Sequence, residues 1–265
     1  MTPGAIVTRI LTGLIVGILV GSTGVGGGIL LLPILTSVLG IAPIVAVGSD
    51  AVVNCVTKIG AGLVYWRRGN VNWRLVVALI LGSVPGAFLG VMFLTLLRAS
   101  RSGVGNFLNI AIAFLLIIIP LASMYVLPSS STRPAVAAGR SNKYDYGIAL
   151  IGFCVGVLVG ITSIGSGTVT LMLLLVFYGY SPAVLVGTDL VHALLLTGIT
   201  ALLQMRLGNV DYSLVGYILM GSIPGGLLGA YIANRIVWAR LRQVLIVALI
   251  AFGVRMLWEG SVYGK

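Results

Sequence analysis

Apolar positions in this chain come in long uninterrupted runs rather than in alternation. Runs near 46–66, 74–97, 105–126, 185–205 and 212–233, with a sixth near 242–259, each approach the ~20 residues that carry a helix across ~30 Å of hydrocarbon. Basic residues mark their ends: Arg67, Arg68 and Arg74, then Arg98 and Arg101, then Arg235, Arg240 and Arg242. The opening run is of another kind. Residues 6–39 are almost uncharged and would form a helix of ~50 Å at 1.5 Å per residue. That exceeds a bilayer, so the run must break. The break is written as Gly21-Ser22-Thr23-Gly24-Val25-Gly26-Gly27-Gly28, where each glycine costs a helix interior about 1 kcal/mol relative to alanine. The pattern predicts a helix of about 17 residues, a short turn and a half-helix of about 12 residues ending at Gly40.

The same design appears twice. Residues 17–90 align with 156–229 at a constant offset of 139 without a gap, and 29 of the 74 pairs are identical. What is kept is mostly glycine, proline and polar: Gly17 with Gly156, Thr23 with Thr162, Gly26 with Gly165, Gly28 with Gly167, Pro43 with Pro182, Gly48 with Gly187, Asp50 with Asp189. The second break reads Gly160-Ile161-Thr162-Ser163-Ile164-Gly165-Ser166-Gly167 and opens a half-helix expected to end at Gly179. The chain therefore divides into a first transmembrane repeat, 1–126, a polar linker, 127–145, with two prolines and four serines, and a second repeat, 146–265. The fold class is an all-α polytopic membrane protein of two homologous repeats, each of four to five segments. Five passes per repeat make the repeats inverted and four make them parallel. Loop charges divide too evenly for the positive-inside rule to choose. The short second pieces favour inversion, because inverted-repeat transporters use such broken helices.

Composition agrees on the solvent. Hydrophobic residues make up 59% of the chain and charged residues 8%, against about 25% charged in soluble domains. The net charge of +11 lies scattered among loops with no basic helix or aromatic platform, which argues against nucleic acid. It fits loop anchoring and a mildly positive mouth that draws anions. Cys55 and Cys154 pair with Leu194 and Ile15 across the repeat, so neither a structural disulfide nor a metal site is expected. The amino-terminal apolar stretch runs from Ala5 past Pro33, longer than a cleavable signal core, and is read as part of the mature chain.

Candidate chemistry gathers at the breaks. Unwound backbone at membrane depth is tolerated where it is buried in protein or lines a cavity, and a half-helix starting there aims free amides at the gap. Thr23, Gly24, Gly26, Gly27 and Gly28, with Thr162, Ser163, Gly165, Ser166 and Gly167, are therefore candidate anion-binding residues; close helix packing through small residues is the competing explanation. Ser49-Asp50 and Thr188-Asp189 follow a proline turn, a place suited to helix capping or, since intramembrane carboxylates are costly, to coupling or gating with a proton or cation. Asp50, Asn54 and Lys58 recur every four residues and share a face. Lys58 is too deep for loop charge, so Asn54 and Lys58 join the substrate-binding set, with Thr197 at the matching point of the second repeat. His192, one turn after Asp189, joins Asp50 and Asp189 in the coupling or gating set. Nothing predicts catalysis or a cofactor: the glycine runs lack the lysine of a phosphate loop, and no nucleophile–base pair or metal-spaced cluster is visible.

The ordered motifs Val16-Gly17-x3-Gly21-x2-Gly24-x-Gly26-Gly27-Gly28-x4-Pro33, Pro43-x2-Ala46-x-Gly48-Ser49, Gly60-x4-Tyr65-x3-Gly69-x-Val71-x-Trp73 and Gly82-Ser83-x-Pro85-Gly86-x3-Gly90 resemble the sulfite exporter TauE/SafE family of permeases. Many members have Gly-Thr where this chain has Gly48-Ser49. The resemblance implies transport of sulfite, organosulfonates or related small carboxylates across a bacterial plasma membrane. Lys58 and His192 are not carried over from the family and rest on the physical argument. The expected protein is thus a secondary transporter with a small anionic substrate, a coupling proton or cation, and lipid as its surroundings; a homo-oligomer is compatible with this. Transport of another small carboxylate or inorganic anion is the alternative, and a thiol–disulfide electron conduit through Cys55 and Cys154 a less favoured one.

Overall fold

Each long apolar run folds as a helix because in lipid every backbone amide must find its partner within the segment. The computed structural model describes residues 3–23, 26–99, 104–126, 145–178, 182–232 and 238–262, and among these every element is helical. The linker, 127–144, lies outside the described residues, as do Gly24 and Gly179; Asp145, assigned to the linker from sequence, begins a helix instead. The first repeat comprises α1 (Pro3–Thr23), α2 (Gly27–Pro33), a π-helical turn (Ile34–Val38), α3 (Pro43–Arg67), α4 (Trp73–Ala99) and α5 (Val104–Val126). The second comprises α6 (Asp145–Thr162), α7 (Val169–Phe177), α8 (Pro182–Arg206), α9 (Tyr212–Ile232) and α10 (Trp238–Val262). Helices α3, α4, α5, α8 and α9 are long and apolar enough to cross a membrane, and the described parts of α1, α6 and α10 are shorter apolar helices.

Both first segments break where the glycines predict. The half-helix of the first repeat runs from Gly27 to Val38, close to the expected length, but loosens into a π turn after Pro33. Proline cannot donate to the preceding turn and crowds its carbonyl, and a one-turn π bulge relieves that. Gly40, at φ 63, then reverses the chain; a glycine reaches that left-handed conformation without steric cost.

The repeats interleave. Helix α1 packs along α9, α6 along α4, α3 against α8 and α5 against α10. In the first two pairs the backbones touch through glycine: Gly13 and Gly17 lie on Ile218 and Ser222, and Gly152 and Gly156 lie on Leu79 and Ser83. Much of the conserved glycine between the halves therefore serves close packing, the competing explanation raised for the breaks. Contacts recur at the same offset. The Ser49 hydroxyl accepts from the Asp211 amide (3.1 Å), and the Thr188 hydroxyl accepts from the Asn72 amide (3.0 Å). Gly48 sits on Asn209 and Gly187 on Asn70. Helix α3 runs opposite to α8, since Gly62 lies beside Leu194 while Gly198 lies beside Cys55. Equivalent helices that cross antiparallel fit a two-fold axis in the membrane plane, the inverted arrangement. The outward faces carry Leu81, Phe88, Leu202, Leu227 and Trp258, as lipid requires. The largest buried cluster gathers α2, α3 and α5, with Leu31, Leu32, Leu35, Ile112 and Leu116 fully enclosed.

Candidate functional site

The two breaks meet. A Cβ on Gly26 would come within 2.6 Å of the Ser166 carbonyl, and one on Gly167 within 3.4 Å of the Gly26 Cα. The second break is held in a costly shape: Ser163 has φ 58, Gly165 φ 112 and Gly167 φ 114. For an L-residue such as Ser163 the left-handed region costs roughly 1–2 kcal/mol, so its side chain has to return something. It does, donating to Asp50 Oδ2 at 2.7 Å. Thr162 is committed otherwise: its hydroxyl donates to the Leu158 carbonyl and accepts from the Ile164 amide, which closes the end of α6. In the first break, Gly26 precedes α2 with no side-chain cap hydrogen bond. The side chain of Thr23 and all of Gly24 lie outside the described residues.

Helix α3 delivers a polar file into this crossing. Asp50 (0% exposed), Asn54 and Lys58 (3%) are all buried. Asn54 donates to Asp50 Oδ2 at 2.8 Å. The absence of Cβ atoms on Gly27 and Gly28 lets Asn54 and Asp50 approach the first break. Lys58 Nζ donates to the carbonyl oxygen (2.9 Å) and the hydroxyl (3.0 Å) of Ser166. It thus spans from the first repeat to the second break, and both Asp50 and Asp189 act on it through space. A lysine at the centre of a spanning helix costs about 2.5–3.5 kcal/mol; hydrogen bonds from a charged donor return about 1.5–3 kcal/mol each, so two offset that cost.

Helix α8 supplies the counterpart. Asp189 (2% exposed) sits beside Gly167, with Oδ2 3.7 Å from where a Cβ would stand. Its Oδ1 is buried without a hydrogen-bond partner. His192, fully buried, meets Ser83 Oγ at 3.0 Å through Nε2, while Nδ1 has no partner. Thr197, opposite number of Lys58, turns its hydroxyl back to the Ala193 carbonyl.

Sequence-selected residues that converge here are Gly26, Gly27, Gly28, Asp50, Asn54, Lys58, Ser163, Ser166, Gly167 and Asp189. Gly165 shapes the turn, and His192 faces α4 instead. The capping account of Ser49-Asp50 and Thr188-Asp189 does not hold: α3 and α8 begin at Pro43 and Pro182, so the carboxylates lie two turns inside. Ser49 and Thr188 instead dock the capping residues of α9 and α4, Asp211 and Asn72, whose own side chains accept from Leu214 and from Arg74 and Leu75. Ser83 enters from sequence only through the family-like motif Gly82-Ser83-x-Pro85-Gly86; its pairing with His192 is set by the packing of α4 on α8, which no local spacing announces. Cys55 and Cys154 are both free, and Cys154 is exposed on α6. Beyond the crossing, a cavity of about 230 Å³ opens at the outer end of the π turn, lined by Thr36, Ser37, Asn109 and Met256 among others.

Comparison with known proteins identifies the family. The profile of the family described as "Sulfite exporter TauE/SafE" matches residues 9–256. The chain is 36% identical over 254 residues to "Probable membrane transporter protein YjnA" of Bacillus subtilis (strain 168), covering 95% of this chain and 99% of that protein. It is 26% identical over 274 residues to YunE of the same organism, covering 96% and 98%, and 28% identical over 261 residues to MJ0441 of Methanocaldococcus jannaschii, covering 94% of each. Both carry the same description, probable membrane transporter protein. No solved structure gives a significant match. A family profile spanning nearly every helix, together with full-length relatives named as transporters, settles the assignment: this chain is a multi-pass membrane protein of the TauE/SafE sulfite exporter family.

Proposed function

We propose that the chain moves a small sulfur-containing anion, sulfite or an organosulfonate, across the plasma membrane, holding it where the two breaks cross. The observation that carries this is Lys58: a buried ammonium, contributed by one repeat and held by the backbone and hydroxyl of the other repeat's break. Such a group attracts an anion in a low-dielectric setting, and the Ser166 hydroxyl and the second amide hydrogen of Asn54 supply further donors around it. An anion that takes over the Lys58 hydrogen bonds would loosen the link between the repeats, which is the event alternating access needs. The family description names sulfite, which supports the substrate class.

The test is counterflow through purified protein in proteoliposomes, with labelled sulfite, alkanesulfonates and small carboxylates compared. Sulfite or a sulfonate should exchange fastest; carboxylates alone exchanging would shift the substrate class. Lys58→Ala should cut exchange by at least about tenfold, the loss expected for a group contributing more than ~1.4 kcal/mol to binding. Undiminished exchange in a folded variant would remove Lys58 from the site.

A further inference from the structure

Asp50 and Asp189 are equivalent by the repeat but not by surroundings. Asp50 Oδ2 already holds two donors, Asn54 and Ser163. The offset of 139 puts Ala193 where Asn54 stands and Gly24 where Ser163 stands. Neither has a side chain that can donate, so the second repeat has lost both partners of its carboxylate. Asp189 remains buried beside Gly167 with Oδ1 unpartnered, and the charged group acting on it is Lys58.

We infer, building on the anion site proposed above, that one proton loads onto Asp189 together with the anion and leaves with it, so that the chain is a proton–anion co-transporter. The charge count requires a compensating step. Two carboxylates face one ammonium, so the ionised crossing carries one negative charge in excess and repels the anion it is to hold, with little solvent to screen the repulsion. A proton on Asp189 removes that excess. The loaded crossing, with its proton and a monovalent anion, then has the same charge as the empty one, so neither form is penalised as the repeats move around it. Asp189 takes this role rather than Asp50 although Oδ1 of each carboxylate is unpartnered. Oδ2 of Asp50 accepts from Asn54 and Ser163, which stabilise its ionised form, whereas among the described residues no side chain donates to Asp189. The surrounding elements bring few other titratable groups. Helix α3 brings Asp50, Cys55 and Lys58, and α8 brings His192, whose Nδ1 is unpartnered but whose ring is tied through Nε2 to Ser83 on α4 rather than to the crossing. Helices α2 and α7 contain no titratable residue, α4 has only Arg74 and Arg98 at its ends, and α6 has Asp145 at its start with Tyr146 and Cys154 exposed.

The experiment uses the full chain in proteoliposomes and labelled methanesulfonate, whose own charge does not change with pH, with sulfite as a second probe. A proton gradient of one pH unit should drive an about tenfold accumulation of the anion on the acceptor side. A pH dye should record one proton entering per anion, and membrane potential should leave methanesulfonate flux unchanged, because one proton and one monovalent anion cross without net charge. In Asp189→Asn the accumulation ratio reached under the gradient should fall to about one, from about ten. Net anion uptake without proton movement, protons moving against the anion, or accumulation driven by a sodium gradient would each overturn the inference while leaving the anion site standing. Absence of counterflow for every anion tested overturns the anion site itself. Should Asp189→Asn fail to fold, the proton-to-anion ratio of the unmodified protein decides the matter.

Discussion

Ser163 is where sequence and strain meet. The residue adopts φ 58, a conformation that glycine takes freely, and indeed Gly24 stands at its counterpart in the first break. A serine is tolerated because its hydroxyl reaches Asp50. Two substitutions separate these effects. Ser163→Ala keeps the strain and loses the hydrogen bond, and should destabilise the protein by about 1–3 kcal/mol, the range for leaving a buried acceptor short of a donor. Ser163→Gly loses the same bond but relieves the backbone, so it should be milder by about 1 kcal/mol. Thermal unfolding in detergent measures both; equal losses would mean that the backbone at 163 is not strained. At this scale the sequence was informative about Asp50, Asn54 and Lys58, because a four-residue spacing on one helix fixes a shared face. It was silent about Ser83, whose partner sits 109 residues away.

At the scale of elements, glycine has two separate jobs in this chain. In the breaks it allows backbone shapes and lets Asp50 and Asn54 come close. In α1, α4, α6 and α9 it allows helices to touch. Both uses select the same residue type at the same spacing in each repeat, so the sequence alone could not sort them. Gly156 belongs to the second use: any Cβ there runs into the backbone of Ser83, which is not a flexible neighbour. Gly156→Leu should therefore separate α6 from α4 and displace Ser83 from His192. Loss of monodisperse protein on size exclusion in detergent is the expected result, and a wild-type elution profile with unchanged melting would contradict the packing described. Gly60, with open space around it, is the matched control.

On the scale of the whole molecule, the duplicated scaffold holds an unduplicated site. The paired bonds Ser49–Asp211 and Thr188–Asn72 keep the halves equivalent at both ends of α3 and α8, while the centre has Lys58 against Thr197 and Asn54 against Ala193. Equivalent loops then belong on opposite faces of the membrane: 68–72 follows α3, whereas Asp211 reaches back to Ser49 near the start of α3. In a background with Cys55 and Cys154 replaced, cysteines placed at the exposed positions Arg68 and Leu207 should react with a membrane-impermeant thiol reagent from opposite sides. Labelling from the same side would require parallel repeats.

From sequence alone came the lipid solvent, the existence of long apolar segments, the position of both breaks and the family resemblance, because each depends on local composition or on self-similarity along the chain. The tertiary structure decided what the polar residues face. A carboxylate in a helix could have been a cap, a coupling group or a packing partner, and only the crossing of α3, α8 and the two breaks showed Asp50 held by two donors and Asp189 left without one. That difference arises between residues more than a hundred positions apart in the chain, where periodicity carries no information and burial sets the cost of every unpaired charge.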